Sequence, residues 1–317
     1  MLCIYVDDLI YMGTNWKLIA NFKNSMMMEF EMTDLGMIKY FLGIQVWQKK
    51  GEIFISQEKY LANLLQNFQM QNSKPIATPL DANEKLKMED GAKKVDGVIF
   101  RSLVGSLMYL THTRPDIMQS VSMISRFMSS PSILHYAAAK RILRYLNGTR
   151  KLGIKYAKEF KSSLIGFSDS DWAGSIDDRK STSAYIFCIG TNVIAWSSRK
   201  QQTVALSLAE AEYSAAAEAA CEAVWLRRIL EDIGQKQEDP TVIYCDNMSA
   251  IAMSKNLVLH ARTKHIELRL HFIRELVQKG EIQLEFLSTL EQPADMLTKA
   301  VTAEKFEKHK GQLKLTN

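Results

Sequence analysis

The sequence predicts an α/β (α+β) protein, and three observations carry that prediction. After residue 154, short apolar strand-like runs give way to mixed strands and helices, the pattern of a layered sheet with helices. From Phe100 to Leu146 the apolar residues recur at helical spacing, broken at Pro115 and Pro131. Before that block, alternating apolar segments bounded by turn residues read as strands. The 317 residues suffice for two or three domains, and 47% apolar content can build real cores.

In order, residues 2–12 read as strand, Asp7-Asp8 turn, strand. Residues 16–30 read as helix, and Asp34-Leu-Gly36 as a turn. Ile38–Trp47 and Gly51–Ile55 should pair as a hairpin across Gln48-Lys-Lys50, after which Ser56 should cap a helix. Lys74-Pro-Ile-Ala-Thr-Pro-Leu80 must be extended. The charged stretch Asp81–Asp96 reads as an exposed linker, residues 97–148 as a helical layer, and Gly148–Gly153 as a boundary. Beyond it, Leu164–Asp169, Ala184–Cys188, Val193–Trp196, Val242–Cys245 and Ile282–Leu287 read as strands. Ser207–Asp232, Met248–Ser254, Lys264–Lys279 and a run starting at Pro293 read as helices.

Composition narrows the function classes. The net charge of +5 fits a polyanionic partner without requiring one. Four scattered cysteines, with no CxxC pair, argue against a disulfide framework or a zinc knuckle and fit a reducing, intracellular compartment. The early Asp7 and Asp8 interrupt any secretory signal core, and no apolar run reaches membrane-spanning length. The sequence fixes no oligomeric state.

Four carboxylates each close a short segment: Asp169 in Ile165-Gly-Phe-Ser-Asp-Ser-Asp-Trp172, Glu212 in Ser207-Leu-Ala-Glu-Ala-Glu-Tyr213, Asp246 in Val242-Ile-Tyr-Cys-Asp-Asn247, and Asp295 in Glu291-Gln-Pro-Ala-Asp-Met-Leu-Thr298. Acids at strand ends and in first helical turns can converge at one sheet edge and hold two divalent metals, the arrangement that cuts phosphodiesters. Each also has a plainer reading. Asp169 can be a turn residue, and Asp246 and Asp295 can serve helix N-termini. Ser207-Leu-Ala-Glu210 fits a capping box, which gives Glu210 a structural task. Glu212 shares the stripe of Leu208 and Ala216 and should face inward. His260, His265 and His271 lack the i, i+4 spacing of helical ligand pairs and read as ordinary core or surface residues.

These four segments, in this order, resemble the ribonuclease H domain of copia-type retrotransposon Pol polyproteins. Upstream, Tyr5-Val-Asp-Asp8 looks like the catalytic hairpin of a reverse transcriptase. Phe41-Leu-Gly-Ile44, Leu103–Thr111, Thr113-Arg-Pro-Asp116, Lys140–Gly148 and Arg262-Thr-Lys-His-Ile-Glu267 look like further family segments. The resemblance implies a palm remnant over 1–80, a linker and thumb or connection region over 81–153, and a ribonuclease H domain over 154–317, with a mixed sheet flanked by helices. It implies that Asp169, Glu212, Asp246 and Asp295 hold two Mg2+ ions, with Mn2+ as a substitute, and that the substrate is an RNA–DNA hybrid. It implies that Asp7 and Asp8 are metal ligands of an incomplete polymerase site, since a third acid, the nucleotide pocket and the fingers are missing. Arg179, Lys180, Arg199 and Lys200 flank the first hairpin of the ribonuclease region and are candidates for phosphate binding. The loop Leu287–Pro293 carries no histidine, unlike that of many ribonucleases H. The expected compartment is a cytoplasmic particle or the nucleus. A second reading fits the same residues: a catalytically inactive transposon relic that folds and binds nucleic acid.

Overall fold

The structure, a computed structural model, describes residues 1–81, 84–159, 163–255 and 267–317, the side chains of 267–270 excepted. The chain opens with a hairpin of β1 (Leu2–Tyr5) and β2 (Asp8–Tyr11), in which Tyr5 faces Asp8. The turn is Val6-Asp7, with Val6 at a left-handed φ of 52°, so Asp8 belongs to the second strand rather than to the expected turn. Helix α1 (Trp16–Glu29) is capped by Asn15, whose side chain accepts from the amides of Lys17 and Leu18. Asp34 then accepts from the Gly36 amide, closing the expected turn.

The strand expected over Ile38–Trp47 is split in two. β3 (Tyr40–Phe41) folds back on β4 (Ile44–Lys49) across Leu42-Gly43, both left-handed. A two-residue turn of this kind matches strand twist, and glycine is needed because the Tyr109 hydroxyl occupies the space of a side chain at Gly43. β4 then pairs with β5 (Glu52–Ser56) across Lys50-Gly51 instead of Gln48–Lys50. Ser56 ends that strand and caps nothing. α2 (Glu58–Asn67) starts after Gln57, which makes no side-chain cap. Gln57 is buried instead, accepting from the Thr113 hydroxyl at 2.8 Å.

The helical layer breaks where the prolines predict. It comprises α3 (Gly97–Leu110), a 3-10 turn (Pro115–Ile117), α4 (Met118–Ser125) and α5 (Ile133–Gly148). Its polar centre is the buried pair Arg114–Asp116, joined by two hydrogen bonds of 2.9 and 2.7 Å. Tyr145 donates to Asp116 at 2.6 Å, and Arg114 also donates to Thr149. Both charges therefore find partners, as burial demands. Residues 84–96, read as an exposed linker, are exposed or half-buried and are tied to the rest of the fold at several points. The Met88 amide donates to Asp177, His135 sits at 3.1 Å from the Lys87 carbonyl, and the Ser132 hydroxyl donates to Asp90.

Two five-stranded sheets complete the fold. In the first, β6 (Gly153–Ala157) inserts between β5 and β12 (Leu315–Thr316), giving the antiparallel order β12-β6-β5-β4-β3. Neither strand is predicted from the sequence: β12 has two residues, too few to show a period, and β6 (Gly-Ile-Lys-Tyr-Ala) starts on the glycine that marks the expected boundary. In the second, β7 (Leu164–Ser170), β8 (Thr182–Ile189) and β9 (Asn192–Lys200) form an antiparallel meander. β10 (Thr241–Cys245) and β11 (Ile282–Phe286) add in parallel beside β7, giving β9-β8-β7-β10-β11. This is the mixed sheet flanked by helices that the resemblance implies.

One face of the second sheet is covered by α6 (Leu208–Asp232), α7 (Met248–Lys255) and α8 (Glu267–Gln278). Alanines 216, 219, 220 and 223 on α6 let it approach Phe187 and Ile243 closely. The other face packs on the helical layer. A single core runs from Leu64, Leu103 and Ile142 into Ile186, Val193, Ala294 and Met296. Burial of apolar area is therefore continuous across the boundary expected at residue 153.

Candidate active site

Asp169 is the last but one residue of β7, paired with Ala184 and only 1% exposed. Its side chain shares the face of Ile165 and Phe167, as period two requires, and accepts a hydrogen bond from the Thr298 hydroxyl. Thr298 follows a 3-10 turn (Pro293–Leu297), shorter than the helix expected from Pro293 to Ala300. Asp295 lies in that turn, fully buried, and pairs with Lys299 and with Lys305 on α9 (Ala303–Gln312). Gln292 holds the turn against the sheet. Its amide donates to the carbonyls of Ser168 (3.0 Å) and Tyr244 (3.3 Å), tying β7, β10 and the Asp295 segment together.

Glu212 is 3% exposed and points inward, as helical phase predicts. The stripe is not quite the one expected: Ala216 is buried, but Leu208 is exposed. Glu212 accepts from the Ser170 amide at 3.3 Å and stands 3.9 Å from the Cys245 thiol. The capping box forms by half. Ser207 accepts from the Glu210 amide at 3.2 Å, but the Glu210 carboxylate takes the Leu206 amide (2.9 Å) instead of the cap's own. Asp246 is relieved of capping, because Asn247 accepts from the Ala250 amide at 3.0 Å. It accepts instead from the Thr289 hydroxyl at 2.6 Å.

The acids burden one another. Burial, followed by the charge of Asp295, pushes the Asp169 carboxyl up to about 7. Burial, followed by Asp169 and Asp246, pushes Glu212 up to about 9. Donor atoms of Glu212, Cys245 and Asp246 lie within 4.8 Å of one another, a separation a metal ion could bridge; Asp169 and Asp295 are not in that group. Like charges held this close and buried repel one another. The lysines offset part of the charge. Burial opposes the Lys299 ammonium, but Asp169 and Asp295 outweigh it and hold its pKa above the usual range. Sequence reading had missed Thr289, Gln292, Thr298, Lys299, Lys305 and Cys245. Only Lys299 carried a local signal, four residues after Asp295 on a helix-like run.

Asp171 is not part of this set. It is turned into the β7–β8 loop, where it accepts from the Thr182 amide. Of the basic candidates, Lys200 pairs with Asp178 at 2.7 Å, and Lys180 lies 3.9 Å from the same acid. Their charge is thus partly neutralised, while Arg179 and Arg199 are exposed. Asp7 and Asp8 are exposed on the first hairpin, which joins no other strand. His271 is exposed on α8; His260, His265 and most of the Arg262–Glu267 segment lie outside the described residues.

Comparison with known proteins agrees with the fold. The sequence pattern of the reverse transcriptase (RNA-dependent DNA polymerase) family matches residues 1–82. The chain is 42% identical to the retrovirus-related Pol polyprotein from transposon TNT 1-94 of Nicotiana tabacum, over 97% of this chain and 24% of that one. It is 40% identical to the corresponding polyprotein from transposon RE1 of Arabidopsis thaliana, over 99% of this chain and 21% of that one. The chain therefore spans less than a quarter of the length of these two relatives. A foamy viral protease-reverse transcriptase solved in complex with RNA/DNA hybrid shares the fold at 13% identity, with a TM-score of 0.52, covering 95% of this chain and 37% of that one. With the mixed sheet, its acid-bearing edge and these relatives in view, the chain belongs to the copia-type, retrovirus-related Pol polyproteins of transposons.

Proposed function

We propose that the chain hydrolyses the RNA strand of RNA–DNA hybrids, through a ribonuclease H unit within 154–317 preceded by a palm remnant (1–80) and a thumb or connection region (81–153). The observation that supports this reading is that acids from β7, α6, the end of β10 and the 3-10 turn lie near enough to act on one another: burial, then Asp295 and Asp246, raise Asp169, and burial, then Asp169 and Asp246, raise Glu212. Asp169, Glu212, Asp246 and Asp295 would hold two Mg2+ ions, with Mn2+ able to replace them. Bound there, the metals supply an activated water and stabilise the leaving oxygen.

The chain's own residues do the positioning. Thr298 and the Ser170 amide orient Asp169 and Glu212; Thr289 orients Asp246. Lys299 and Lys305 pair with Asp295 and fix it in place. Arg199 lies at the same sheet end, two strands from Ser170 by register, and Arg179 lies on the adjoining loop; both could meet phosphates, with Lys180 and Lys200 behind them. Choice of a hybrid would rest on 2′-hydroxyls and the wide minor groove. A structural neighbour binds such a hybrid. Asp7 and Asp8 are read as remnants of a polymerase site; they stand exposed on a hairpin that joins no other strand. No helix of the described residues is long and apolar enough to cross a membrane, and a particle or nuclear location remains part of the proposal.

The test uses the full chain, since its core crosses residue 153. With magnesium it should cut the RNA of a labelled hybrid and spare single-stranded RNA and duplex DNA. With a chelator it should cut nothing. A hybrid left intact under all metal conditions would overturn the assignment.

A further inference from the structure

Trp172 lies three residues past Asp169, at the same end of the sheet, and is 55% exposed. Single exposed apolar side chains are common on protein surfaces, and Trp16 and Trp225 are exposed here too; Trp172 differs in where it is held and how firmly. This one is fixed. Its indole N–H donates to the Ala205 carbonyl at 3.4 Å, which sets the ring against the segment leading into α6. On its N-terminal side, Asp171 is anchored by the Thr182 amide. A side chain at Gly174 would collide with the Asp171 carboxylate, so the loop needs glycine there. On its C-terminal side, Ala173 is held at a left-handed φ of 53°, with its amide bonded to the Ser181 hydroxyl at 3.0 Å. Non-glycine residues avoid that backbone region, and such strain persists where the surroundings impose it, often at functional sites. Arg126 of the helical layer braces the loop by donating to the Thr182 hydroxyl at 2.9 Å.

The surroundings name the ligand. Leu206 (71% exposed) and Leu208 (47%) extend the apolar surface toward the first turn of α6, the helix that carries Glu212. Acids lie on one side of this patch, and Arg199 stands exposed at the same sheet end. In an intact duplex the base faces are stacked and closed to an indole at this sheet end, while the shallow minor groove of an A-like helix presents sugar rings and base edges, of which the sugar ring offers the flat apolar face an indole packs on. We propose that Trp172 is a substrate contact, whose indole packs on a sugar ring in the minor groove of the bound hybrid, beside the phosphate held at the acid cluster, and so fixes which phosphodiester is cut. This rests on the ribonuclease reading above and adds a residue to it.

The test measures hybrid binding by the full chain carrying Asp246→Asn, so that the RNA stays intact, with and without Trp172→Ala or Trp172→Phe. Trp172→Ala should weaken hybrid binding on the order of ten-fold, Trp172→Phe should retain most of the affinity, and melting temperatures should not change. Affinity for single-stranded RNA should be unaffected. In the chain with Asp246 restored, Trp172→Ala should spread cleavage over neighbouring phosphodiesters. Unchanged hybrid affinity and an unchanged cut pattern would overturn the proposal. So would an equal loss for single-stranded RNA, which would make Trp172 a base-stacking residue, or a loss that tracks a lower melting temperature. A chain that neither binds nor cuts hybrid even with Trp172 intact would overturn the ribonuclease reading itself.

Discussion

Two sets of acids in one chain sit in opposite surroundings. Asp7 and Asp8 stand in water at the tip of a hairpin that joins no larger sheet. Asp169, Glu212 and Asp295 are sealed between a sheet, a helix and a 3-10 turn, with Asp246 half-exposed at their rim. Exposed charges persist without any compensating partner, so the first pair says little about chemistry. Buried charges are costly unless paired, and here two lysines and a few hydroxyls answer four carboxylates. The shortfall is what points to a bound cation.

The largest effect should come from removing one buried ligand. Glu212→Gln should lower hybrid cleavage by orders of magnitude while leaving the melting temperature of the metal-free chain equal or higher, since it removes repulsion. Loss of fold on this substitution would mean that Glu212 is structural.

A third buried acid sharpens the contrast. Asp116 is as deeply buried as Asp169, but Arg114 and Tyr145 satisfy it completely, and Arg114 outweighs burial to hold its carboxyl below the usual range. Arg114→Ala should destabilise the chain by about 3–5 kcal/mol, because it strands a buried charge. Added magnesium should not rescue it. Denaturant unfolding of the two chains measures this.

pH separates the same two kinds of site. Asp169 and Glu212 have folded-state values raised to about 7 and about 9. The metal-free folded chain therefore binds more protons than the unfolded one, and stability falls as pH rises from about 4 toward 9. Glu212→Gln should flatten that slope, and magnesium affinity should rise over the same range as protons leave. Melting curves across this range, with and without metal, read both. A smaller effect belongs to Glu210→Ala, which loses one amide bond at the helix start. It should cost about 1 kcal/mol and keep substantial cleavage. If this variant were the dead enzyme and Glu212→Gln the active one, the helical phase would be misread.

The elements were legible where the chain repeats a pattern. Ala-rich α6 and the three-helix layer with its two proline breaks follow period and punctuation, and the apolar runs of β7 and β10 stand out by composition. β3 and β12 have two residues each, too few to show alternation, β6 is hidden behind the Gly153 boundary signal, and the Leu42-Gly43 turn depends on Tyr109, more than sixty residues away. In the site, inward phase flagged Glu212. Asp246 could be read as ligand or cap, and only the hydrogen bond from Ala250 to Asn247 separates the two. Lys305, Gln292 and Thr298 reach the acids through tertiary packing, which no local spacing encodes. Asp81–Asp96 looked like a linker because its charge is high; its anchors, Asp177 and His135, lie far along the sequence.

The contrast between the two acid sets reduces to one side-by-side measurement of magnesium-dependent hybrid cleavage by the full chain, by its Asp246→Asn variant, and by a variant carrying Asp7→Asn and Asp8→Asn together. The account predicts that Asp246→Asn loses cleavage by orders of magnitude with the fold intact, while the double hairpin variant cuts as the parent does. Full activity in Asp246→Asn, or loss of activity in the hairpin variant alone, would contradict it.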